Sequence, residues 1–370
     1  MSVLHPKMPK GMRRLWRFAS RFGIVIALPL LVLWFPTPEG LTPAGHRALA
    51  LFAFTGSILA LEPVSLPIAA LLVPVAAVAL DTATTAQAFE PFSSPVVYLI
   101  LAGLFLAEAL RKHGLTRRLA LTTLMATKGK VSLLLLGIMS IAAFFSMWVI
   151  NTAAAAMLIP VALTISRLPD DEEDQRKLLT LLGLGIAYGA SVGSMATIMG
   201  SAANAVASGF LEGIGPWSFL DWMTYGLPSF VITFPLTWWL LMKLAAPDFE
   251  EIDLAEVQQK ADDQDGLNAE QRELLAALGG AIVLWIGGDY FETALALPDT
   301  LMSATMVGVM AVAYLSVRDL LNWDDVKGVS WGVFLIIGAG LSLGEVLVRT
   351  ETTNWLAQLV VPVIESAPYW

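Results

Sequence analysis

Near the middle of an uncharged stretch at 131–166, two polar residues stand side by side, Asn151 and Thr152, with Ser146 shortly before them. These side chains are poor acids, bases and nucleophiles, but they are good ligands. Asn151 and Thr152 can donate hydrogen bonds to an anion. The oxygens of Asn151 and Ser146, with any carbonyl freed from a helix, can instead coordinate a small cation. As one straight helix, the 36 residues of the stretch would run about 54 Å, against a hydrocarbon core of about 30 Å. The run must therefore bend, and Asn151-Thr152 marks the bend. A loop emerging into water would carry more polar residues, so the pattern predicts a re-entrant hairpin at 131–168 with its tip inside the membrane and a helix restarting at Ala153. Backbone N–H groups at 151–154 then lack helical partners, carry the positive end of a dipole and form a seat for an anion. The alanines at 153–156 leave room for a ligand or a close backbone. The plainer alternative is a pair of packed helices whose Asn and Thr bond across an interface.

A second polar break lies at 193–204, Gly-Ser-Met-Ala-Thr-Ile-Met-Gly-Ser-Ala-Ala-Asn. Gly193 and Gly200 permit unwinding, Ser194, Thr197, Ser201 and Asn204 supply oxygens, and Ala205 can restart a helix. Glycine-rich helices are often just tightly packed, but two polar breaks in adjacent apolar segments together favour a binding site at mid-membrane depth. Other chemistries are thinly supplied. The chain has no cysteine and three histidines, His5, His46 and His113. It has no His-Glu-x-x-His, and no Ser/His pair placed on facing helices. No cofactor is implied and an enzyme is disfavoured. The net charge of −9 argues against a nucleic-acid partner.

The elements that must position these breaks are membrane helices. Only 14% of the 370 residues are charged, against about 25% for a soluble domain. Charge-poor runs occur at 22–35, 46–61, 65–80, 96–110, 131–166, 178–211, 220–241, 274–288, 301–317 and 331–348. Six Lys/Arg precede the first run, but Pro36 and Pro38 follow it without an Ala-x-Ala site, so it reads as a retained helix rather than a signal peptide. With the N-terminus in the cytoplasm and 131–166 returning to its own side, 20 of the 22 Lys/Arg are cytoplasmic and only Arg47 and Arg349 are not. This is a strong positive-inside pattern. The acidic excess sits in cytoplasmic loops, ten Asp/Glu of it between Asp248 and Glu273, and such runs are usually solvated linkers. The expected organisation is an N-terminal segment and first helix at 1–43, a first repeat at 44–244 with scaffold helices, the hairpin and a broken helix at 178–211, an acidic linker at 245–273, and a partial second repeat at 274–370.

The repeat is visible at an offset of 237. Gly103, Leu104, Leu106, Glu108 and Leu110 recur as Gly340, Leu341, Leu343, Glu345 and Leu347, and Thr116, Leu119 and Ala120 as Thr353, Leu356 and Ala357. Five crossings separate the copies, so the second is expected to be inverted, as in many secondary transporters. The counterpart of Asn151 would fall near position 388, past Trp370. The second repeat is therefore expected to be incomplete here, whether the chain is a piece of a longer protein or a short form. Glu108 with Arg111 or Lys112, and Glu345 with Arg349, are expected to be ion pairs near the interfaces. Residues 111–130 and 349–359 read as matching amphipathic arms.

Residues 146–160, Ser-Met-Trp-Val-Ile-Asn-Thr-Ala-Ala-Ala-Ala-Met-Leu-Ile-Pro, resemble the first hairpin of the divalent-anion/sodium symporters, the dicarboxylate and sulfate carriers. That hairpin reads Ser-Met-Trp-x-Ser-Asn-Thr-Ala-x-Ala-Ala-Met-x-x-Pro. Gly200-Ser201-Ala202-Ala203-Asn204 is similar to the Gly-Ser-Pro-Pro-Asn of the family's broken helix, and the resemblance runs from about His46 to the C-terminus. It implies an all-α, inverted-repeat integral membrane protein that works as a homodimer in the bacterial plasma membrane. A mobile transport domain would carry a small divalent organic anion across by an elevator movement, with sodium as the coupling ion. Asn151, Thr152, Ala153, Ser201 and Asn204 would bind substrate; Ser146, Asn151 and Gly200 would hold sodium. Ile150 stands where the motif has Ser, which removes a hydroxyl from the implied sodium site. Ala202-Ala203 replaces Pro-Pro, and a second Ser-Asn-Thr hairpin is not found in these 370 residues. Two other readings are a scaffold or binding subunit that does not transport, and an anion or metalloid exporter of the same superfamily.

Overall fold

The computed structural model describes residues 10–212, 215, 217–253 and 266–365. Positions 254–265 of the acidic linker, and residues 366–370 of the second repeat, lie outside the described residues. Regular structure among the described residues is helical, apart from one antiparallel bridge between Lys130 and Glu251. In chain order the helices are α1 (Lys10–Trp34), α2 (Pro43–Leu61), α3 (Leu66–Ala79), α4 (Thr85–Phe89), α5 (Pro95–Lys112), α6 (Leu115–Ala126), α7 (Val131–Trp148) and α8 (Asn151–Ile165). They continue as α9 (Glu172–Gly193), α10 (Ala202–Glu212), α11 (Phe219–Ala245), α12 (Ala269–Leu295), α13 (Ala304–Val317), α14 (Trp323–Val326), α15 (Gly332–Arg349) and α16 (Thr352–Glu365). Six of the described helical segments are long and apolar enough to cross a membrane: α2, α7, Glu172–Ala196, α11, α12 and α15. The chain is thus an all-α integral membrane protein.

Several helix starts carry the side-chain caps that polar surroundings favour. The Thr42 hydroxyl accepts from the Gly45 amide at 2.9 Å. Capping boxes open α11 with Ser218 and Asp221, and α12 with Asn268 and Gln271. Asp171 caps α9. The start of α8, like those of α7 and α15, has no side-chain cap, since Ile150 occupies its cap position and has no side-chain oxygen.

The helices sort into two compact units. One holds α1–α4 with α15 and α16. In it α15 lies on α3, where a Cβ on Gly332 would come within 2.4 Å of Pro67 Cγ. The Ser342 hydroxyl donates to the Ala88 carbonyl at 2.8 Å, and Ala48, Leu51, Ala70, Val73, Ala77, Ala339 and Val346 fill the core. The other unit holds α5–α14. In it α5 lies on α13, with Thr305 donating to the Pro95 carbonyl at 2.8 Å and Gly308 set against Ala102 and Leu99.

The periodicity in the sequence is also a periodicity in the backbone. Shifted by 237, the bounds of α5 become those of α15 and the start of α6 becomes that of α16. The turn between each pair is built the same way. His113, Gly114 and Arg118 amides donate to Ala109, Arg111 and Gly114 carbonyls, and Thr350, Glu351 and Trp355 amides to Val346, Val348 and Glu351 carbonyls. At an offset of 238, α3 recurs as α13, and the three bonds that end α3, from Leu80, Asp81 and Thr82, recur from Arg318, Asp319 and Leu320. Even the contacts recur, since Gly332 against Pro67 in one unit corresponds to Pro95 against Thr305 in the other. The sequence also placed two ion pairs: Arg111 Nε donates to Glu108 at 2.8 Å and Arg349 to Glu345 at 2.5 Å.

The two turns differ at their left-handed position. Gly114 has φ +66°, which costs glycine nothing, whereas Glu351 has φ +58°, where a side chain crowds the backbone. Replacing Glu351 by Gly is expected to raise stability by about 0.5–1 kcal/mol, read as a higher melting temperature in detergent. A lower one would show that the Glu351 side chain holds the turn by contacts of its own.

Candidate functional site

Helix α7 ends when the Val149 amide bonds back to Phe145 at 2.9 Å, and α8 begins at Asn151, with Ala153 and Ala154 amides bonding the Ile150 carbonyl at 2.9 and 3.1 Å. The connection is two extended residues, Val149 and Ile150. Helix α8 therefore starts two residues earlier than the sequence suggests. The chain doubles back here. Leu134 and Ile138 near the start of α7 line a small pocket, about 10 Å³, with Val161 and Ile165 near the end of α8, and with Thr123 in α6 and Thr127 just after it. As the first two residues of α8, Asn151 and Thr152 have amides with no intrahelical acceptor. The Asn151 and Ala153 side chains are half-buried, and Thr152 is exposed.

The second break forms as expected from its glycines. Helix α9 stops at Gly193, two 3₁₀ turns follow at Ser194–Ala196 and Ile198–Gly200, and α10 starts at Ala202. Glycine is demanded here by the closeness of backbone to backbone. A Cβ on Gly193 would sit 2.4 Å from the Ala143 Cα, and one on Gly200 would sit 2.3 Å from the Ser194 carbonyl oxygen and 2.7 Å from that of Ser146. The break is thereby pressed against the last turn of α7, immediately before the hairpin tip.

Three polar side chains hold this contact. The Thr197 hydroxyl, fully buried, donates to the Met147 carbonyl. The Asn204 amide nitrogen donates to the Ser194 and Thr197 carbonyls at 2.7 and 2.8 Å, so both its hydrogens go to the shape of the break and only its oxygen remains for a ligand. The Ser201 hydroxyl accepts from the Asn204 amide at 3.2 Å. Among the described residues, no hydrogen bond joins Asn151 or Thr152 to Ser201 or Asn204. What the structure brings together is Ser146 with Gly200, and Met147 with Thr197. Thr197 was foreseen as one oxygen among several in the break; its tie to the hairpin leaves no mark in spacing or residue type.

The Ser146 hydroxyl is fully buried and has no hydrogen-bond partner. A buried hydroxyl left unpaired costs about 1–3 kcal/mol, and such groups commonly mark an ion or water site. The Trp148 indole N–H, two residues on, is likewise buried and unpartnered. Ile150 is 7% exposed and offers only methyl groups. The Trp148 ring lies nearly parallel to those of Trp285 in α12 (5.8 Å, 8°) and Phe219 in α11 (6.4 Å, 13°). Trp285 is fixed in turn by donating to the Ala304 carbonyl at 2.8 Å.

The base of the hairpin is held by the chain that follows α11. The Val131 amide donates to the Glu250 carbonyl and the Ile252 amide to the Gly129 carbonyl, each at 2.9 Å. Lys177 donates to Asp248 at 2.8 Å, a bond that holds the Asp248 carboxyl below its usual range.

Comparison with known proteins follows the same residues. The family model described as the sodium:sulfate symporter transmembrane region matches residues 16–369. An uncharacterized transporter of Haemophilus influenzae is 31% identical over 365 residues, which cover 94% of this chain and 75% of the relative. An uncharacterized transporter of Methanocaldococcus jannaschii is 29% identical over 87% of this chain and 70% of its own length. The sodium-dependent dicarboxylate transporter SdcS of Staphylococcus aureus is 26% identical over 91% of this chain and 69% of its own length.

Two substitutions test the contact between the breaks. Gly200→Ala forces a methyl into backbone and is expected to cost about 1–3 kcal/mol or more, seen as a lower melting temperature. Thr197→Val leaves the Met147 carbonyl unpaired at about 1–3 kcal/mol, whereas Thr197→Ser keeps the donor and stays within about 1 kcal/mol of the parent. Equal melting temperatures for the Val and Ser variants would rule out the tie.

Proposed function

Because this chain belongs to the sodium:sulfate symporter family, a family of multi-pass membrane transporters of anions, we propose that it is a secondary active transporter of small divalent organic anions of the C4-dicarboxylate type, coupled to sodium. One observation carries this reading. A buried, unpartnered Ser146 hydroxyl lies one turn before the uncapped start of α8, where the Gly200 break closes on the hairpin. The amides at Asn151 and Thr152, with their two side chains and the small Ala153 beside them, receive one carboxylate. The Ser201 hydroxyl donates its proton to the rest of the anion, while Asn204, both its side-chain hydrogens spent on carbonyls, shapes the break. Charge at a helix N-terminus is favourable, and two carboxylates match a seat with several donors better than one does. The curated relative SdcS is named as sodium-dependent and dicarboxylate-transporting, which supports the choice of substrate and ion.

Sodium is a second cargo in this reading. The Ser146 hydroxyl, the Asn151 side-chain oxygen and the Gly200 carbonyl are the oxygens offered to it. The Met147 and Thr197 carbonyls already accept hydrogen bonds. Ile150 adds no oxygen, so the site is poorer by one ligand than a Ser at this position would make it.

The recurrence of α3, α5 and α6 as α13, α15 and α16 supports an inverted repeat, with the re-entrant hairpin and the broken helix moving as one body in an elevator. A homodimer with the N-terminus in the cytoplasm of a bacterial plasma membrane completes the proposal. The positive-inside pattern supports that orientation.

The test is uptake of labelled succinate into proteoliposomes with and without an inward sodium gradient. Gradient-driven uptake is expected. Asn151→Ala should lower it at least about tenfold, the equivalent of one charge-assisted hydrogen bond. Ile150→Ser should reduce the sodium concentration that gives half-maximal uptake. Undiminished uptake in the Asn151 variant would remove the hairpin seat. Folded protein that takes up nothing under either condition would overturn the transporter reading for this chain in favour of a binding or scaffold role.

A further inference from the structure

We infer that His113 is a proton-binding site that locks the turn between α5 and α6 when it is charged. The ring is held at both nitrogens. Nε2 lies 2.8 Å from the Leu320 carbonyl oxygen and Nδ1 lies 3.2 Å from Glu270 Oε2. A carbonyl and an ionised carboxylate only accept hydrogen bonds, while a neutral imidazole carries a single N–H. Both contacts are hydrogen bonds only when both ring nitrogens are protonated. The His113 side chain is 8% exposed, while Glu270 is 64% exposed and reaches the ring from the solvent side.

Charged and polar groups surround the ring. His113 directly follows the last residue of α5, where the helix dipole stabilises a cation. Glu270 reaches it from the first turn of α12, and Asp325 adds a negative charge from α14. Burial pushes the Asp325 carboxyl up, but bonds from Lys112 and the Asn322 amide, with the charges of Lys112 and His113, hold it below the usual carboxylate range. Lys112 on α5 is spent on Asp325 at 2.7 Å, and Arg118 on α6 donates to the Gly266 carbonyl and the Gln271 side chain. Asp319 immediately precedes Leu320 in the turn that closes α13. The His113 carbonyl is clamped as well, accepting from Gln271 at 2.9 Å.

The other copy of the turn shows that its shape does not require a histidine. At the matching position Thr350 makes the same backbone bonds, and its carbonyl accepts from Thr42. Both turns are closed by the same main-chain bonds, and the first is in addition tied to its neighbours by an imidazole. Imidazoles change charge between about pH 5 and 8. Protonation completes both ring bonds of His113, and loss of the proton gives up one of them and loosens α6. Helix α6 leads through Gly129 into the hairpin, so the pH on that side of the membrane would govern how freely the hairpin moves. That last link rests on the transport reading; the proton site does not.

The test uses the full chain in lipid nanodiscs. With three histidines in all, ¹⁵N-imidazole spectra are simple, and His113→Gln assigns the resonance. Both His113 nitrogens are expected to be protonated at pH 6 and only one at pH 8. Amide-exchange protection of 113–122, corrected for intrinsic rates, is expected to fall at least threefold over that interval. Glu270→Gln supplies an N–H to the neutral ring, so protection in that variant is expected to hold at pH 8. A neutral His113 at pH 6, or a pH profile of protection unchanged in His113→Gln, would overturn the inference. If the spectra and protection behave as stated but uptake fails to follow pH, the site stands and its link to transport falls.

Discussion

The rest of the site depends on one close packing: the break at 194–201 lies backbone to backbone on the last turn of α7, just before the connection at 149–150. Unpaired buried peptide groups cost several kcal/mol each, so such a packing must bring donors to the carbonyls it encloses. The solution is contact without side chains between. Gly193 lies on Ala143 and Gly200 on Ser146 at distances that exclude a methyl group. Thr197 and Asn204 then bond the carbonyls this brings within reach. The buried side-chain groups left without a partner beside that closure are the Ser146 hydroxyl and the Trp148 indole. The site is the residue of a packing problem, and its polarity is what the packing could not absorb.

Much of this was legible in the sequence, because it follows from length and polarity. A 36-residue uncharged run cannot be one straight span, and Asn151-Thr152 is the polar break near its middle. The glycines flanking 194–200 announced the second break, and an offset of 237 found α5 and α6 again as α15 and α16. Other features were not legible. The role of Asn204 depends on where the Ser194 and Thr197 carbonyls point, which no spacing rule encodes. The bridge from Lys130 to Glu251 joins residues 121 apart, inside a segment whose composition reads as a solvated linker. The start of α8 was misjudged by two residues because Ile150 is a poor cap by type, yet takes the cap position by geometry.

The repeat also shows how one backbone pattern carries different chemistry. The α5–α6 turn and the α15–α16 turn share their hydrogen bonds residue by residue, yet one contains His113-Gly114-Leu115 and the other Thr350-Glu351-Thr352. Each choice has its own consequence. Glycine relieves the left-handed position in the first turn, and Glu351 accepts the strain in the second. Where the hydrogen bonds are made by the main chain, the side chains are free to differ.

The near-parallel rings of Trp148, Phe219 and Trp285 join the hairpin tip to α11 and α12. Any motion that carries the tip away from α12 must first part Trp148 from Trp285. An aromatic pair contributes about 0.5–1.5 kcal/mol, up to about a tenfold factor in rate, on top of the cost of re-exposing the area it buries. In the proposed transport movement the stack adds its own share to the barrier for taking the tip away from α12.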